Sequence, residues 1–455
     1  MNTLIAITGL GVLCLIFEIF NLRKGIIPVT IIGLLATLGL TISEYGTEAS
    51  YYNNMIVTNN FSVTFSSLFI ILTIFIVAMS HNFYNNHATK ISDFIAIKVF
   101  ILSGAIAMIS FGNLAMFFLG LEILSIGLYV MCASERLSLR SNEAGMKYFL
   151  MGAFASGIIL FGICLVYGAM GTFDVAEIAS LSRSAALPAW FFIGVVMITI
   201  GMLFKVAAVP FHFWAPDVYE GAPALTTATM STLVKVVAMA TLFKLLVVLN
   251  AEMTSAFEII IVVLSIASMT VGNIMALRQV NVKRMLAFSG ISHAGFMLMT
   301  LLSLSTAAGT LLYYASAYAL SGIAAFAVIL YVCRNNENED IVNFHGLGKT
   351  NPILAAVLTG SLLSMGGIPI FAGFFGKLFL FNQTIEAGYL YLVIIAVINS
   401  IISIGYYFKL ILAMYGKEPN EERTATPILY YLVAVIAILL NIAIGFFPSL
   451  VMDLL

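Results

Sequence analysis

The chain has 455 residues, 62% of them hydrophobic and only 9% charged, and its formal net charge is −1. Soluble domains carry about 25% charged residues, so a mean hydropathy of +1.08 excludes a soluble enzyme. The near-neutral balance argues against a nucleic-acid or polyanionic partner. Apolar runs long enough to cross a hydrocarbon core of about 30 Å recur from end to end, which predicts an all-α polytopic membrane protein in contact with the lipid bilayer.

In chain order, about fourteen transmembrane helices are expected: 3–22, 25–43, 61–80, 91–109, 111–133, 145–171, 189–214, 223–249, 255–277, 285–304, 306–333, 351–382, 387–415 and 427–449. A β-barrel would instead alternate in segments of about ten residues. The longest polar loops, near 44–60, 81–90, 172–188 and 334–350, leave no room for a soluble domain. The first apolar stretch lacks a basic flank and a small-residue cleavage site, so it reads as a retained helix. Cys14, Cys132, Cys164 and Cys333 all fall in spans without a CxxC pair, and read as small apolar fillers.

With fourteen spans the loops alternate sides. Arg23, Lys24, Lys90, Arg136, Arg140, Lys147, Arg278, Lys283, Arg284, Arg334, Lys349, Lys417 and Arg423 then share one side, and only Arg183 lies in a loop on the other. The positive-inside rule makes the first side cytoplasmic and places both termini on the outer, periplasmic side of a bacterial-type inner membrane.

Six cations remain. Lys98, Lys244 and Lys409 lie within about two turns of a span end, where a long stem is expected to snorkel to the interface. Lys235 falls midway along its span, and Lys205 and Lys377 lie beside proline breaks. A charge at the bilayer centre costs roughly 2.5–3.5 kcal/mol on insertion scales, so a chain keeps one for pairing or for transport. Only one carboxylate, Glu122 in "FFLGLEILSIGLYV", sits well inside a span. Simple ion-pair locking of helices would need more deep carboxylates than this. Burial disfavours the charged form of a group and a nearby opposite charge favours it. Lysine, unlike arginine, can release its proton. Three lysines sharing one glutamate therefore form a candidate lateral proton relay.

Two of the lysines sit at helix breaks. In "MLFKVAAVPFHFWAPDVYEGAPA" (202–224), Pro210 follows Lys205; in "GGIPIFAGFFGKLFLF" (366–381), Pro369 and four glycines precede Lys377. A proline removes a backbone hydrogen bond, and freed carbonyls are tolerated in a bilayer only where protein or water receives them. The breaks fall in helices 7 and 12, five apart, which suggests two inverted five-helix repeats. The expected organisation is 1–90 (helices 1–3), 91–249 (helices 4–8), 255–415 (helices 9–13) and 416–455 (helix 14).

"VPFHFWAPDVYEGAPALTTATMSTLVK" (209–235), "VKRMLAFSGISHAG" (282–295) and "GIPIFAGFFGK" (367–377) resemble, in order, the motifs of the antiporter-like proton-translocating subunits of respiratory complex I. "PDVYEGAP" (216–223) is similar to the N branch of that family, and a chain that ends soon after its last span has no room for the long lateral helix of the L type. Gly290 stands where relatives often carry a second serine. The resemblance implies a fifth-helix glutamate at Glu122 whose partner is the seventh-helix lysine, Lys205. It implies a central lysine at Lys235 and an exit lysine at Lys377. His293 is either a bridge between Lys235 and Lys377 or a hydrogen-bonded core residue. His212 either lines a water entrance or caps freed backbone, and Asp217 and Glu220 are expected to cap and orient the broken helix. His81, His87 and His345 are loop residues. No cofactor or metal is expected on this chain: NADH, FMN, iron–sulfur clusters and quinone would belong to partner subunits, among them antiporter-like paralogues. The implied function is proton translocation within a complex-I-like NADH:quinone oxidoreductase. The alternatives are a cation/proton antiporter subunit, the homologous subunit of a ferredoxin- or hydrogenase-linked complex, or a membrane scaffold whose charges only join helices.

Overall fold

The computed structural model describes residues 1–20, 22–84, 91–184, 187–249, 255–334, 336, 338–419 and 427–455. Lys90, Arg423 and His87 lie outside the described residues. Thirteen helices among the described residues are long and apolar enough to cross a membrane. The expected twelfth span is two 15-residue helices, Pro352–Gly366 and Ala372–Glu386. Loop 44–60 is more ordered than expected of an all-α chain. Ala49–Tyr51 and Ile56–Thr58 pair as an antiparallel hairpin, turned by Tyr52, Asn53 and Asn54 at positive φ. The loop after the sixth span contains a short helix, Val175–Ser184.

The two ends of the bundle carry different sets of contacts. At one end Ile56 bridges to Phe111 and Asn113 to Asp174, Met1 pairs with Glu44 at 3.6 Å, and Tyr45 bonds the Leu454 carbonyl at 3.0 Å. Both described chain ends therefore lie at the same face. At the other end Lys147, Asp217, Glu220, Lys283, Arg284 and Glu339 meet in ion pairs. In a bilayer, helices that carry ionisable and polar groups belong in the centre of a bundle and purely apolar ones can face lipid. In the apolar stretches of Val282–Leu302 and Ala308–Val332 94% of residues are buried, and in Ala224–Leu249 89%, whereas in Asn2–Ile19 the share is 22% and Ile5, Leu13, Leu15, Ile16 and Ile19 face outward. The most enclosed helices are thus those that carry Lys235, His293, Tyr314 and Tyr318.

Candidate functional site

The seventh span, Ala189–Val206, ends where Ala207 turns left-handed at φ 61°. The Ala207 and Ala208 N–H groups donate back to Phe204 and Leu203, each at 3.0 Å, closing the helix end. Pro210 follows, after a cis bond from Val209. The freed backbone finds protein partners, as a dry setting demands. Val209 N–H donates to Ser268 Oγ at 2.9 Å, and Trp214 Nε1–H to the Phe204 carbonyl at 3.0 Å. Lys205 is in the last turn before the break and is 6% exposed. Its Nζ donates to Ser125 Oγ at 2.8 Å and Tyr129 Oη at 3.3 Å, and stands 5.6 Å from the Tyr129 ring centroid.

Glu122, Ser125 and Tyr129 lie at i, i+3 and i+7 on the fifth span, Leu114–Cys132, and so form one stripe. Lys205 is docked on the hydroxyls of this stripe rather than on the carboxylate. Glu122 Oε1 is buried with no hydrogen-bond partner, and among the described residues Glu122 and Lys205 do not form an ion pair. The implied partners face one stripe and are held apart.

The eighth span is interrupted without a proline. Ala224–Thr229 passes into a π-helical turn, Met230–Val234, which ends at Lys235, the first residue of Lys235–Leu249. Such turns shift the side-chain register and recur at functional sites. Lys235 Nζ is buried and has no hydrogen-bond partner. Opposite it, a Cβ on Gly290 would lie 2.8 Å from Lys235 Nζ and 3.1 Å from Tyr318 Oη, so the bare glycine leaves the space between the two groups open. Tyr318 Oη in turn lies 3.3 Å from Ser231 Oγ. The His293 ring is 4.8 Å from the Tyr318 ring. His293 Nδ1 lies 2.7 Å from Tyr314 Oη and Nε2 3.3 Å from Tyr407 Oη, and Tyr407 meets Ser289 at 2.5 Å. Both ring nitrogens thus have hydroxyl partners that can donate or accept.

At the second break Pro352–Gly366 closes on Gly367 at φ 86°. Pro369 follows, with Ile370, a β-branched residue, at φ 91°; only surrounding structure holds such a residue there. That structure is the fourteenth span. Asn441, fully buried, accepts from Ser364 Oγ at 3.0 Å and Ala372 N–H at 3.3 Å, and donates to the Ala317 carbonyl and Ser321 Oγ, both at 3.0 Å. Lys377, on the second half-helix, reaches back to donate to the Gly366 carbonyl at 2.9 Å. Its charge therefore sits at the negative end of the first half-helix. Between His293 and Lys377 lies an internal cavity of about 10 Å³, lined also by Tyr314, Tyr318, Ser321 and Ser364. That is room for about one water with polar partners on several sides.

Asp217 and Glu220 follow the first break in Trp214–Gly221 and tie it to two other helices. Arg284 Nη1 donates to Asp217 at 2.7 Å and Glu220 at 2.9 Å, and Lys147 pairs with Asp217 at 3.1 Å. Partial burial works against the Asp217 carboxylate, but the Arg284 and Lys147 bonds outweigh it and hold its pKa below the ordinary 3.8. Lys283 bonds Glu339 and the Ala222 carbonyl, each at 2.8 Å. Lys283, Glu339 and Ala222 line a vestibule of about 300 Å³ at this end of the bundle with Glu135, Arg140 and Glu220. His212, placed in the break, has a buried Nδ1 without a partner.

The structure corrects the expected snorkelling of Lys98. Lys98 is 2% exposed and donates to Ser80 Oγ at 2.7 Å and Tyr84 Oη at 3.3 Å. Lys244, half-buried, reaches the carbonyls of Ile109 and Phe111 at the bundle end, at 2.7 and 2.8 Å, where it caps Ile91–Ile109. Distance from a span end gives depth but not facing, and Lys98 faces a neighbouring helix. Lys409 is exposed and bonds the Gln279 carbonyl. Ser125, Tyr129, Ser364, Asn441 and the π turn were missed, because hydroxyl and amide side chains are ordinary within membrane helices. The usable signal was a Ser-x-x-x-Tyr spacing beside a buried lysine.

The family model described as NADH:quinone oxidoreductase/Mrp antiporter, transmembrane, matches residues 110–403. A relative from Flavobacterium johnsoniae, NADH-quinone oxidoreductase subunit N, is 74% identical with 100% of both chains covered. A chain of respiratory complex I from Thermus thermophilus superposes with a TM-score of 0.86 at 28% identity, over 99% of this chain and 98% of that one. A chain of the Mrp complex from a Dietzia species reaches 0.88 at 19% identity, over 99% and 95%, which is a likeness of fold.

Proposed function

Because the chain belongs to the NADH:quinone oxidoreductase/Mrp antiporter transmembrane family, we propose that it is the N-type membrane subunit of a complex-I-like NADH:quinone oxidoreductase, moving protons through Glu122, Lys205, Lys235, His293 and Lys377. The observation that carries this reading is the coincidence of buried lysines with helix interruptions. Lys205 ends a half-helix, Lys235 follows a π turn and Lys377 faces a half-helix end. Hydroxyls, His293 and a water-sized cavity lie between the last two. A scaffold that only joined helices would pair its charges, whereas Lys235 Nζ and Glu122 Oε1 are left without partners.

In this reading Glu122 and Lys205 form the switch. When Lys205 leaves Ser125 and Tyr129 for Glu122, a positive charge moves relative to the rest of the set. At an effective dielectric of ~20, shifting a unit charge from ~5 to ~10 Å from a titrating group changes its energy by ~1.7 kcal/mol, or about one pKa unit. Lys235 then exchanges its proton with Lys377 by way of Tyr318, His293 and a water between them. These groups titrate as a set rather than singly. Electron transfer through FMN and iron–sulfur clusters, and the reduction of quinone by NADH, take place on partner subunits, which include antiporter-like paralogues. The Arg284 end faces the cytoplasm and both termini face the outer side of a bacterial inner membrane, following the distribution of cations. Regions 91–249 and 255–415 act as the two inverted units around the switch and the exit.

The fold is shared with the Mrp complex chain, but the 74% identity is to a NADH-quinone oxidoreductase subunit, and that favours the redox-linked reading over a cation antiporter. The test is native purification through a tag on this chain in mild detergent. A large particle that contains flavin and iron–sulfur subunits and oxidises NADH is the expected result. Recovery of the chain only with small membrane proteins would overturn the redox assignment.

A further inference from the structure

Lys98 lies in the fourth span, outside the expected relay, yet its surroundings reproduce those of Lys205. Each lysine reaches from one helix to a Ser and a Tyr spaced i, i+4 on a neighbouring helix. Lys205 meets Ser125 at 2.8 Å and Tyr129 at 3.3 Å, and Lys98 meets Ser80 at 2.7 Å and Tyr84 at 3.3 Å. Each ammonium also stands near the tyrosine ring, 5.6 Å from the centroid for Lys205 and 4.6 Å for Lys98. Lys98 is the seventh residue after Ile91 in the helix Ile91–Ile109, about 10 Å from its end at ~1.5 Å per residue. An i, i+4 pair lies on one helix face and can clamp a cation from the side.

The Lys98 cluster also has a path to water. Tyr84 is the last residue of the helix Asn60–Tyr84, and the two residues before it, Asn82 and Phe83, line the vestibule together with Glu135. The lysine thus meets a hydroxyl at the end of a helix whose preceding two residues share the vestibule wall with a carboxylate. A helix-joining role alone does not need that placement.

We propose that Lys98, Ser80 and Tyr84 form a further protonatable station of this subunit, loaded from the vestibule through Tyr84 and Glu135. The inference rests on the proton-translocating reading given above. In the loading step a proton reaches the Tyr84 oxygen from protonated Glu135 or from a protonated vestibule water, while that oxygen passes its own proton to neutral Lys98. The source O–H bond breaks, the Tyr84 O–H bond is replaced and one Lys98 N–H bond forms, and unloading reverses all three. Ser80 holds the ammonium by accepting its second hydrogen bond, and therefore positions it.

The test compares proton uptake per electron transferred in the assembled complex, in sealed vesicles, for Lys98→Arg, Lys98→Met, Tyr84→Phe and, alongside them, Lys235→Ala. Arginine keeps the charge and can donate to Ser80 and Tyr84, but does not release a proton. A station predicts that Lys98→Arg lowers proton uptake roughly tenfold. That is less than the ~100-fold cost of removing an obligatory proton-transfer group, because the relay through Lys235 and Lys377 persists. Tyr84→Phe, which keeps Lys98 and its Ser80 bond, lowers uptake similarly and decides the question if the Lys98 variants fail to assemble. Wild-type uptake in an assembled Lys98→Arg or Tyr84→Phe complex overturns the station. If Lys235→Ala pumps normally as well, the relay reading falls with it; if Lys235→Ala loses pumping, only the station falls.

Discussion

Replacing Asn441 with Ala removes the clamp on the second break. Four hydrogen bonds go with it, to Ser364 Oγ, Ala372 N–H, the Ala317 carbonyl and Ser321 Oγ. The last two partners keep another bond, since the Ser321 hydroxyl still donates to the Ala317 carbonyl. The two donors aimed at Asn441 Oδ1, Ser364 O–H and Ala372 N–H, lose their acceptor. At ~1–3 kcal/mol for each buried unsatisfied donor the cost is ~2–6 kcal/mol, at the lower end if a water enters the polar hole. Ile370 at φ 91° then loses part of the structure that holds it, and Lys377 loses the fixed half-helix end at Gly366. The assay is thermal dissociation of the assembled complex, followed by native electrophoresis, with proton uptake per electron measured on the surviving fraction. Both should fall. Wild-type dissociation temperature together with wild-type pumping would refute the view that Asn441 holds the break open in a working geometry.

Gly290→Ala places a methyl between Lys235 and Tyr318; the lysine end can yield, so assembly should persist while proton uptake drops, and Gly290→Ser should be milder because its hydroxyl can accept from Lys235. Equal, normal pumping by both variants would show that the gap is not on the proton path. His293→Leu removes both ring bonds and should slow proton transfer by ~100-fold or more, with NADH oxidation and pumping measured in parallel; unchanged pumping would leave His293 as a core residue. Arg284→Ala leaves Asp217 and Glu220 with weaker counter-charge and should lower the dissociation temperature of the complex. Asp217 has a depressed pKa, so its stabilising contribution is fully present above the ordinary 3.8 and is lost as pH falls through the lower native value. Acidification through that window should therefore narrow the difference between Arg284→Ala and wild type; a difference that stayed constant would assign the effect to packing.

Several parts of this arrangement were legible in the sequence because they violate the logic of lipid. Lys205, Lys235, Lys377 and Glu122 stand out in runs where every charge is costly, and Pro210 and Pro369 mark backbone that cannot stay helical. The parts that were not legible obey that logic. Met230–Val234 contains no proline or glycine, so nothing in its composition announces a π turn. Ser125, Tyr129, Ser364 and Asn441 are tolerated anywhere in a membrane helix once they find a partner, and only the packed structure shows which partner that is. Glu122 and Lys205 were recognisable as a pair, but their separation was not, since a spacing in sequence says nothing of a rotamer docked on a nearby hydroxyl. The inward turn of Lys98 escaped for the same reason.

The central claim is that protons cross by way of the central lysine. The most direct measurement is proton uptake per electron in sealed vesicles containing the assembled Lys235→Ala complex, with NADH-driven quinone reduction recorded in the same preparation. A complex of wild-type subunit content whose proton uptake is sharply reduced is the predicted result; wild-type proton uptake per electron in such a complex would contradict the relay.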